Sequence, residues 1–199
     1  MPQPVQDKWF VHNQLREIDM FQFLALAGTI LGLTMSPAQA ASDADQAVEQ
    51  FHRTCLAEGP NFERMIETAH ERRWTLIAEA GFAELAPVAN PTSVEAWLVA
   101  EAEEGLPAGT IIATTKATMS GKPVQTCTLA FPDIDQEAFR KSFFTRTDAE
   151  KIAEDRDTEE FSRLYILVAG GRKQFVRLVV LPSAPPRNPR VVASSIMAD

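Results

Sequence analysis

Residues 110–131 read TIIATTKATMSGKPVQTCTLAF, and apolar and polar side chains alternate on both sides of Ser120-Gly121. A period of two indicates β-strands, and Ser-Gly is typical of tight turns. The stretch therefore predicts an antiparallel hairpin whose strands are Thr110–Thr118 and Val124–Phe131. These are the second and third strands of a predicted meander.

One face of this hairpin is expected to be apolar and to point to the core. If residues 119–123 form a five-residue loop, the register places on that face the following side chains: Ile111, Ala113, Thr115, Cys127, Leu129 and Phe131. Cys127 would then point from the sheet toward the element that covers it.

The first strand of the meander is predicted at residues 94–101. Val94 and Ala96 alternate there with side chains of the opposite face, among them Trp97. The turn at Gly105–Gly109 leads from this strand into the hairpin.

Two helices are predicted before the meander. The apolar residues of the first recur at helical spacing and are Ala44, Ala47, Val48, Phe51 and Cys55. Asn61 can cap the second helix, which places Phe62 and Met65 on one face and fades after Trp74. Residues 75–91 contain Gly81, Pro87 and Pro91 and are interpreted as a helical turn followed by a loop.

A third helix and a second hairpin are predicted after the meander. Asp133 and Gln136 resemble a capping box that opens a helix reaching about Arg146, with Phe139 and Phe143 on its buried edge. The acidic residues 147–160 are expected to form a solvated short helix or loop.

The second hairpin is predicted from strands Phe161–Ala169 and Gln174–Leu181, which flank Gly170-Gly171-Arg172-Lys173. An odd loop length is expected, because only then does one face hold the aliphatic side chains Leu164, Ile166, Val168, Val176, Leu178 and Val180.

These elements predict an α+β fold with the order α-α-βββ-α-ββ(β), in which helices cover one face of an antiparallel sheet of five or six strands. The predicted single domain covers residues 41–182. Residues 183–199 are expected to form a proline-rich C-terminal tail, for which Val191–Met197 offers a final strand as the alternative.

The N-terminal segment indicates export. Phe21–Met35 carries no charge, and the small residues that follow it, ending at Ala40, match a signal-peptidase site. Residues 1–40 are therefore predicted to be a cleaved signal peptide, too short in its apolar part for a stable membrane span after processing. Because residues 1–19 are acidic rather than basic, Met20 is an alternative start, and an uncleaved anchor or a buried helix of a cytoplasmic protein is the alternative interpretation.

Export places the rest of the chain in an oxidising compartment, either the periplasm or the extracellular medium. The chain has two cysteines, Cys55 and Cys127, and an even pair in an exported protein favours a disulfide. A bond between them would join the first helix to the third strand of the meander. The layout resembles that of small exported bacterial proteins, a resemblance too general to assign any residue a function.

The formal net charge is −8, so nucleic acid and anionic membrane surfaces would repel the chain, and no nucleic-acid partner is expected. The common hydrolase, nucleotide-binding and redox motifs are absent from the sequence. His52, Cys55 and His70 lack the four-ligand spacing of a structural zinc site, and no metal or cofactor is predicted.

The leading hypothesis is an exported, non-enzymatic protein that binds another protein or an envelope component. Its candidate interface is the sheet face opposite the helices, where Trp97, Arg163, Tyr165, Phe175 and Arg177 are expected. Trp, Tyr and Arg are enriched among the residues that dominate binding energy. That face would contact a protein partner or a second copy in a homodimer. The alternative is a small envelope hydrolase with an unfamiliar site near His52 and His70.

Overall fold

The computed structural model describes residues 37–78, 82, 86–156, 160–181 and 189–198, and the strands in these ranges form one antiparallel sheet. The strands are β1 Thr75–Leu76, β2 Ser93–Leu98, β3 Ile111–Met119, β4 Lys122–Phe131, β5 Glu150–Arg156, β6 Phe161–Ala169, β7 Arg172–Val180 and β8 Val191–Ala198. They lie in the order β1-β2-β3-β4-β8-β7-β6-β5. The predicted α+β class is confirmed, but the count of five or six strands is wrong, since eight are described.

The helices are α1 Pro37–Phe51, α2 Phe62–Arg72 and α3 Gln136–Arg146, and a π-helical turn His52–Leu56 continues α1. The main core lies between these helices and one sheet face. The predicted cap Asn61 is confirmed by its side chain, which accepts a hydrogen bond from the Arg64 amide. The third helix is capped by Asp135 rather than Asp133.

Two of the missed strands lie at the edges of the sheet. The residues of β5 are all exposed, as are the two residues of β1. An edge strand has one neighbour and can stand clear of the core, so its sequence need not alternate. The sequences of residues 147–160 and 75–91 therefore lack a strand pattern and predict loop or helix. The structure instead forms strands at 150–156 and 75–76.

Besides these two edge strands, the structure has one more strand than the five predicted at minimum. This strand is β8, which lies at the centre of the sheet between β4 and β7. Its side chains from Val191 to Ile196 are buried on both faces. The strand that the sequence offered as an alternative is therefore present, and it is part of the domain rather than of a tail. The prediction of an extended proline-rich stretch falls on residues 182–188, which lie outside the described residues.

The predicted loop of the first hairpin is wrong. Ser120 and Gly121, with φ of 52° and 77°, form a two-residue turn that pairs Met119 with Lys122. Positive φ at both positions is typical of the type I′ turn, whose twist matches that of the strands. Cys127 consequently pairs with Thr114, and the predicted companions Ile111, Ala113 and Thr115 lie on the opposite face.

The predicted odd loop of the second hairpin is also wrong, for the same reason. Gly170-Gly171 is a two-residue turn that pairs Tyr165 with Val176 and Ile166 with Phe175. The aliphatic sets chosen for one face are therefore split between the two faces. Tyr165 lies on the helix-covered face. The expectation that this face is wholly aliphatic therefore gives the wrong loop length for the hairpin.

The predicted disulfide between Cys55 and Cys127 is confirmed, with a Cα–Cα distance of 5.3 Å. It attaches the π-helical turn to β4. A second attachment follows directly, because the buried Gln174 side chain donates from Nε2 to the Leu56 carbonyl at 2.8 Å. Ser195 of β8 donates to Gln174 Oε1 at 2.7 Å. The end of the π-helical turn is therefore bonded to β7 and, through Gln174, to β8.

Candidate functional site

The five residues predicted to form an outer interface do not share a face. Trp97 is 4% exposed and Tyr165 is fully buried, and both belong to the core under the helices. Arg163 lies two residues before Tyr165 on the same strand and pairs with Leu178 of that core. The outer placement is therefore wrong for these three, and it holds for Phe175 and Arg177.

The two residues that do lie on the outer face have partners within the chain. Phe175 packs, half-buried, against a small cluster that includes Val124 and Ile196. Arg177 donates to Ser162 Oγ at 3.1 Å and to Glu160 at 2.7 Å. Their contacts explain both side chains as parts of the fold.

Arg163 and Tyr165 meet instead in a cleft of about 150 Å³ between α3 and the strands β6, β7 and β8. We name it the Tyr165 cleft. It is lined by Gln136, Glu137, Phe139, Arg140, Phe161, Arg163, Tyr165, Leu178, Val180 and Val191. Its apolar walls come from the core side of the sheet, and its charges come from the first turns of α3 and from β6.

The Tyr165 hydroxyl is the unusual group in this cleft. The Tyr165 ring packs edge-on against Phe144, with ring centroids 5.2 Å apart, and lies 5.6 Å from Phe143. The hydroxyl is buried and has no hydrogen-bond partner among the described residues. A buried polar group left unpaired costs about 1–3 kcal/mol, so an acceptor entering the cleft would be favoured.

Burial raises the pKa of Tyr165; Arg163, through its charge and its approach to the phenol oxygen, and the charge of Arg140 only partly oppose this shift. The phenol is therefore protonated at neutral pH and can donate a hydrogen bond. Arg140 and Arg163 line the same cleft as Tyr165.

Each arginine of the cleft is held by one carboxylate. Arg140 forms a bidentate pair with Glu137, in which Nε lies 2.9 Å from Oε2. Arg163 donates from Nε to Glu154 at 3.1 Å and stacks on the Phe161 ring, with 4.3 Å to the centroid. Arg163 thus lies between the Glu154 carboxylate and the Phe161 ring at the edge of the cleft.

Glu154 is the centre of a charge cluster behind the cleft. Its carboxylate contacts Lys151 at 2.8 Å, Arg156 at 2.9 Å and Arg163 at 3.1 Å. Hydrogen bonds from Lys151 and Arg156, with a smaller one from Arg163, lower the pKa of Glu154 from 4.5 to about 2. The carboxylate thus keeps Arg163 in place over the Phe161 ring.

This lowered pKa predicts an acid-sensitive contribution to stability. Because the folded protein holds Glu154 ionised below its ordinary pKa, the contribution is complete above pH 4.5 and disappears as the pH falls toward 2. Glu154→Gln should lower the melting temperature near neutral pH, and the difference from wild type should shrink through that window. Glu150→Gln is the matched control, since Glu150 lies on the same exposed strand and forms no ion pair with a described residue. A Glu154→Gln difference that stays constant with pH would contradict the prediction.

Two larger clefts carry charges that are mostly paired within the chain. One, of about 440 Å³, is acidic and is lined by Asp43, Glu103, Glu104 and Asp133 among others. Arg72 bonds Glu104 at 2.8 Å, and the Trp74 indole donates to Glu103. The other, of about 260 Å³, shares Glu104 and Leu106 with it and is also lined by Arg72 and Trp74. Glu103 and Glu104 are thus bonded within the fold.

The histidines of the alternative hydrolase hypothesis lie apart from these clefts. His52 is half-buried in the π-helical turn, whereas His70 is exposed in the last turn of α2. Neither lines any of the three clefts. Across the described ranges, no three His, Cys, Asp or Glu side chains are grouped so that they could hold a metal ion. Cys55 is used by the disulfide.

Within the part of the chain that the structure describes, none of the helices combines the length and apolar character needed to cross a bilayer. The predicted apolar signal segment falls mostly on residues 1–36, which lie outside the described residues.

Sequence reasoning found Arg163 and Tyr165 but missed the part of the cleft that α3 supplies. Arg140 follows the predicted buried residue Phe139, and Phe144 follows Phe143. The spacing of four between Arg140 and Phe144 places both on one side of the buried stripe, where they can border a cleft. That signal was present, but it could not show which strand lies opposite.

Comparison with known proteins finds no family model that matches the chain, no curated protein with a significant sequence match and no solved structure with a significant structural match. Its function is therefore inferred from the geometry of its own residues. The Tyr165 cleft combines apolar walls with an unpaired buried donor, which is the general character of a small binding site.

Proposed function

We propose that the chain is an exported, non-enzymatic protein of the periplasm or extracellular medium that binds another protein or an envelope component through the Tyr165 cleft. The observation that carries this proposal is Tyr165, which lines a cleft with two arginines and whose buried hydroxyl has no hydrogen-bond partner among the described residues. Buried polar groups are nearly all hydrogen-bonded in folded proteins, so this hydroxyl is a candidate donor to a ligand.

The residues of the cleft favour binding over hydrolysis. Its ionisable side chains are Glu137, Arg140, Arg163 and Tyr165, and Glu137 is already paired bidentately with Arg140. A hydrolase site ordinarily places a nucleophile beside a general base. The cleft offers hydrogen-bond donors but no such pair.

The disulfide supports export, because such bonds persist in oxidising compartments and are rare in the cytosol. Cleavage after Ala40 is compatible with the fold. It would remove the first four residues of α1 and retain the residues that this helix contributes to the core, which begin at Ala44.

The test is affinity capture of the processed protein from envelope extract, with variants on both faces of the sheet. Arg163→Gln removes a cleft charge, while Arg177→Gln removes an ion-paired arginine from the outer face and serves as the matched control. We expect one stoichiometric partner that is retained by wild type and Arg177→Gln and lost by Arg163→Gln.

Two results would overturn the proposal. The first is a partner that both variants retain equally, or no partner at all, which would remove the role of the cleft. The second is recovery of the chain with an intact N-terminus in the cytosolic fraction, which would remove the proposed compartment. N-terminal mass spectrometry of fractionated cells measures the latter, and Ala41 is the expected first residue.

A further inference from the structure

We infer that the Tyr165 cleft recognises a carboxylate attached to a single aromatic ring or a branched aliphatic group. One carboxylate oxygen would accept the hydrogen bond of the Tyr165 hydroxyl, and the guanidinium groups of Arg163 and Arg140 would face the negative charge. This inference rests on the proposed function, since it names the chemistry that the same site binds.

The apolar part of the ligand follows from the size and walls of the cleft. Its volume is about 150 Å³, and cavities of about that size in other proteins hold one benzene molecule. Phe139, Leu178 and Val191 are buried and supply apolar surface on both sides. One ring or one branched side chain fits this space.

The charge of the ligand follows from the donors. The Tyr165 hydroxyl, which has no partner among the described residues, and the guanidinium of Arg163 can donate, whereas the carboxylate that lines the cleft, Glu137, is bound to Arg140, and Glu154 beside it is bound to Arg163. A cation would therefore meet two guanidinium groups. An anion with planar geometry suits the arginine fork, and a carboxylate is the smallest such group in organic ligands.

Tyr165 is well suited to the inner end of this interaction. Its raised pKa keeps the phenol protonated, so it offers a neutral donor to an anion without a competing charge of its own. The ring cannot turn away from the cleft easily, because Phe143 and Phe144 pack against it. The hydroxyl is therefore positioned before any ligand binds.

Two sources can supply this chemistry, a free aromatic acid and the C-terminal residue of a peptide. The probes are 3-phenylpropionate for the first and N-acetylphenylalanine for the second, each compared with its neutral primary amide by calorimetry. The acids should bind at least tenfold more tightly than the amides, because the amides lack the charge that faces the arginines. Preference for N-acetylphenylalanine would indicate a peptide terminus as the source.

The variants separate binding from folding. Tyr165→Phe removes only the unpaired hydroxyl, so the free protein should unfold at the same temperature as wild type or a higher one, while affinity for the acids falls about fivefold, the loss of one hydrogen bond. Arg163→Gln should weaken the acids at least tenfold and leave the amides unchanged. Arg177→Gln on the outer face should change neither affinity.

The inference is overturned if the amides bind as tightly as the acids, if no probe binds, or if Tyr165→Phe leaves acid affinity unchanged. These failures differ from failure of the proposed function. Binding of the acids without any captured envelope partner would support the ligand class alone. A captured partner that depends on Arg163, together with no response to the acids, would support the proposed function and reject the ligand class.

Discussion

Breaking the Cys55–Cys127 disulfide is expected to lower the free energy of unfolding by about 4 kcal/mol. The bond closes a loop between residues 72 positions apart, and the chain-entropy model for a loop of this length gives that value at room temperature. The loss is comparable to the whole stability of a modest domain. Reduced protein should therefore unfold at much lower urea concentrations than oxidised protein.

Two samples isolate this effect. Wild type treated with a reductant keeps every side chain and loses only the bond, and Cys55→Ala/Cys127→Ala loses the sulfur atoms as well. Both should be destabilised, the double variant somewhat more because it leaves a small cavity at two fully buried positions. A change below about 1 kcal/mol on reduction would contradict the prediction. Two reactive thiols in unreduced protein would show that the bond had not formed.

Gly170→Ala is the substitution expected to be most costly among the glycines. A Cβ on Gly170 would lie 2.2 Å from the carbonyl oxygen of Ala57, and that oxygen belongs to the backbone directly after the π-helical turn. The hairpin turn and the helix end would have to separate. Together with the left-handed φ of 56°, the clash should cost about 3 kcal/mol or more.

Gly171→Ala is a close control for this prediction. Gly171 is the next residue of the same turn, its φ is 73°, and nothing lies within 4 Å of an added Cβ. Gly171→Ala should therefore lower the free energy of unfolding only by the cost of a left-handed alanine, about 1–2 kcal/mol. Urea denaturation at unchanged m-value compares the two variants. Equal losses for both would show that the hairpin does not approach Ala57 closely.

These predictions concern one structural unit. The disulfide, the Gln174 side chain and the Gly170 contact all attach the π-helical turn to the sheet, through β4, β7 and the β6–β7 turn respectively. The turn lies over the central strands, where β4 pairs with β8. Its attachments thus hold α1, which the π-helical turn continues, against β4 and β7.

The strand order has a regularity that the sequence does not display. Four strands, β1–β4, follow α2 as a meander, and β5–β8 follow α3. The last strands of the two sets pair antiparallel at the centre of the sheet. This arrangement explains why the C-terminal strand is buried although it follows a proline-rich segment.

The candidate site was accessible to sequence reasoning only in part. The sequence points to Arg163 and Tyr165 as binding residues. The odd loop length that it predicts for the second hairpin places them on the wrong face of the sheet. The Gly170-Gly171 pair is itself a strong signal for a two-residue turn. The hairpin was misassigned because all-aliphatic faces were preferred over that turn, while the fold in fact buries Tyr165 and Gln174 beneath the helices.

The sequence by itself determined the α+β class, the helices with the Asn61 cap, the principal strands and the disulfide partners, because these depend on local periodicity and on residue chemistry. Tertiary structure decided the position of β8, the edge strands and the face on which each hairpin residue lies. The physical reason is that a strand pattern has a period of two, so a change of one residue in turn length exchanges the faces. That exchange places Tyr165 and Arg163 on the face beneath α3, where they line the Tyr165 cleft.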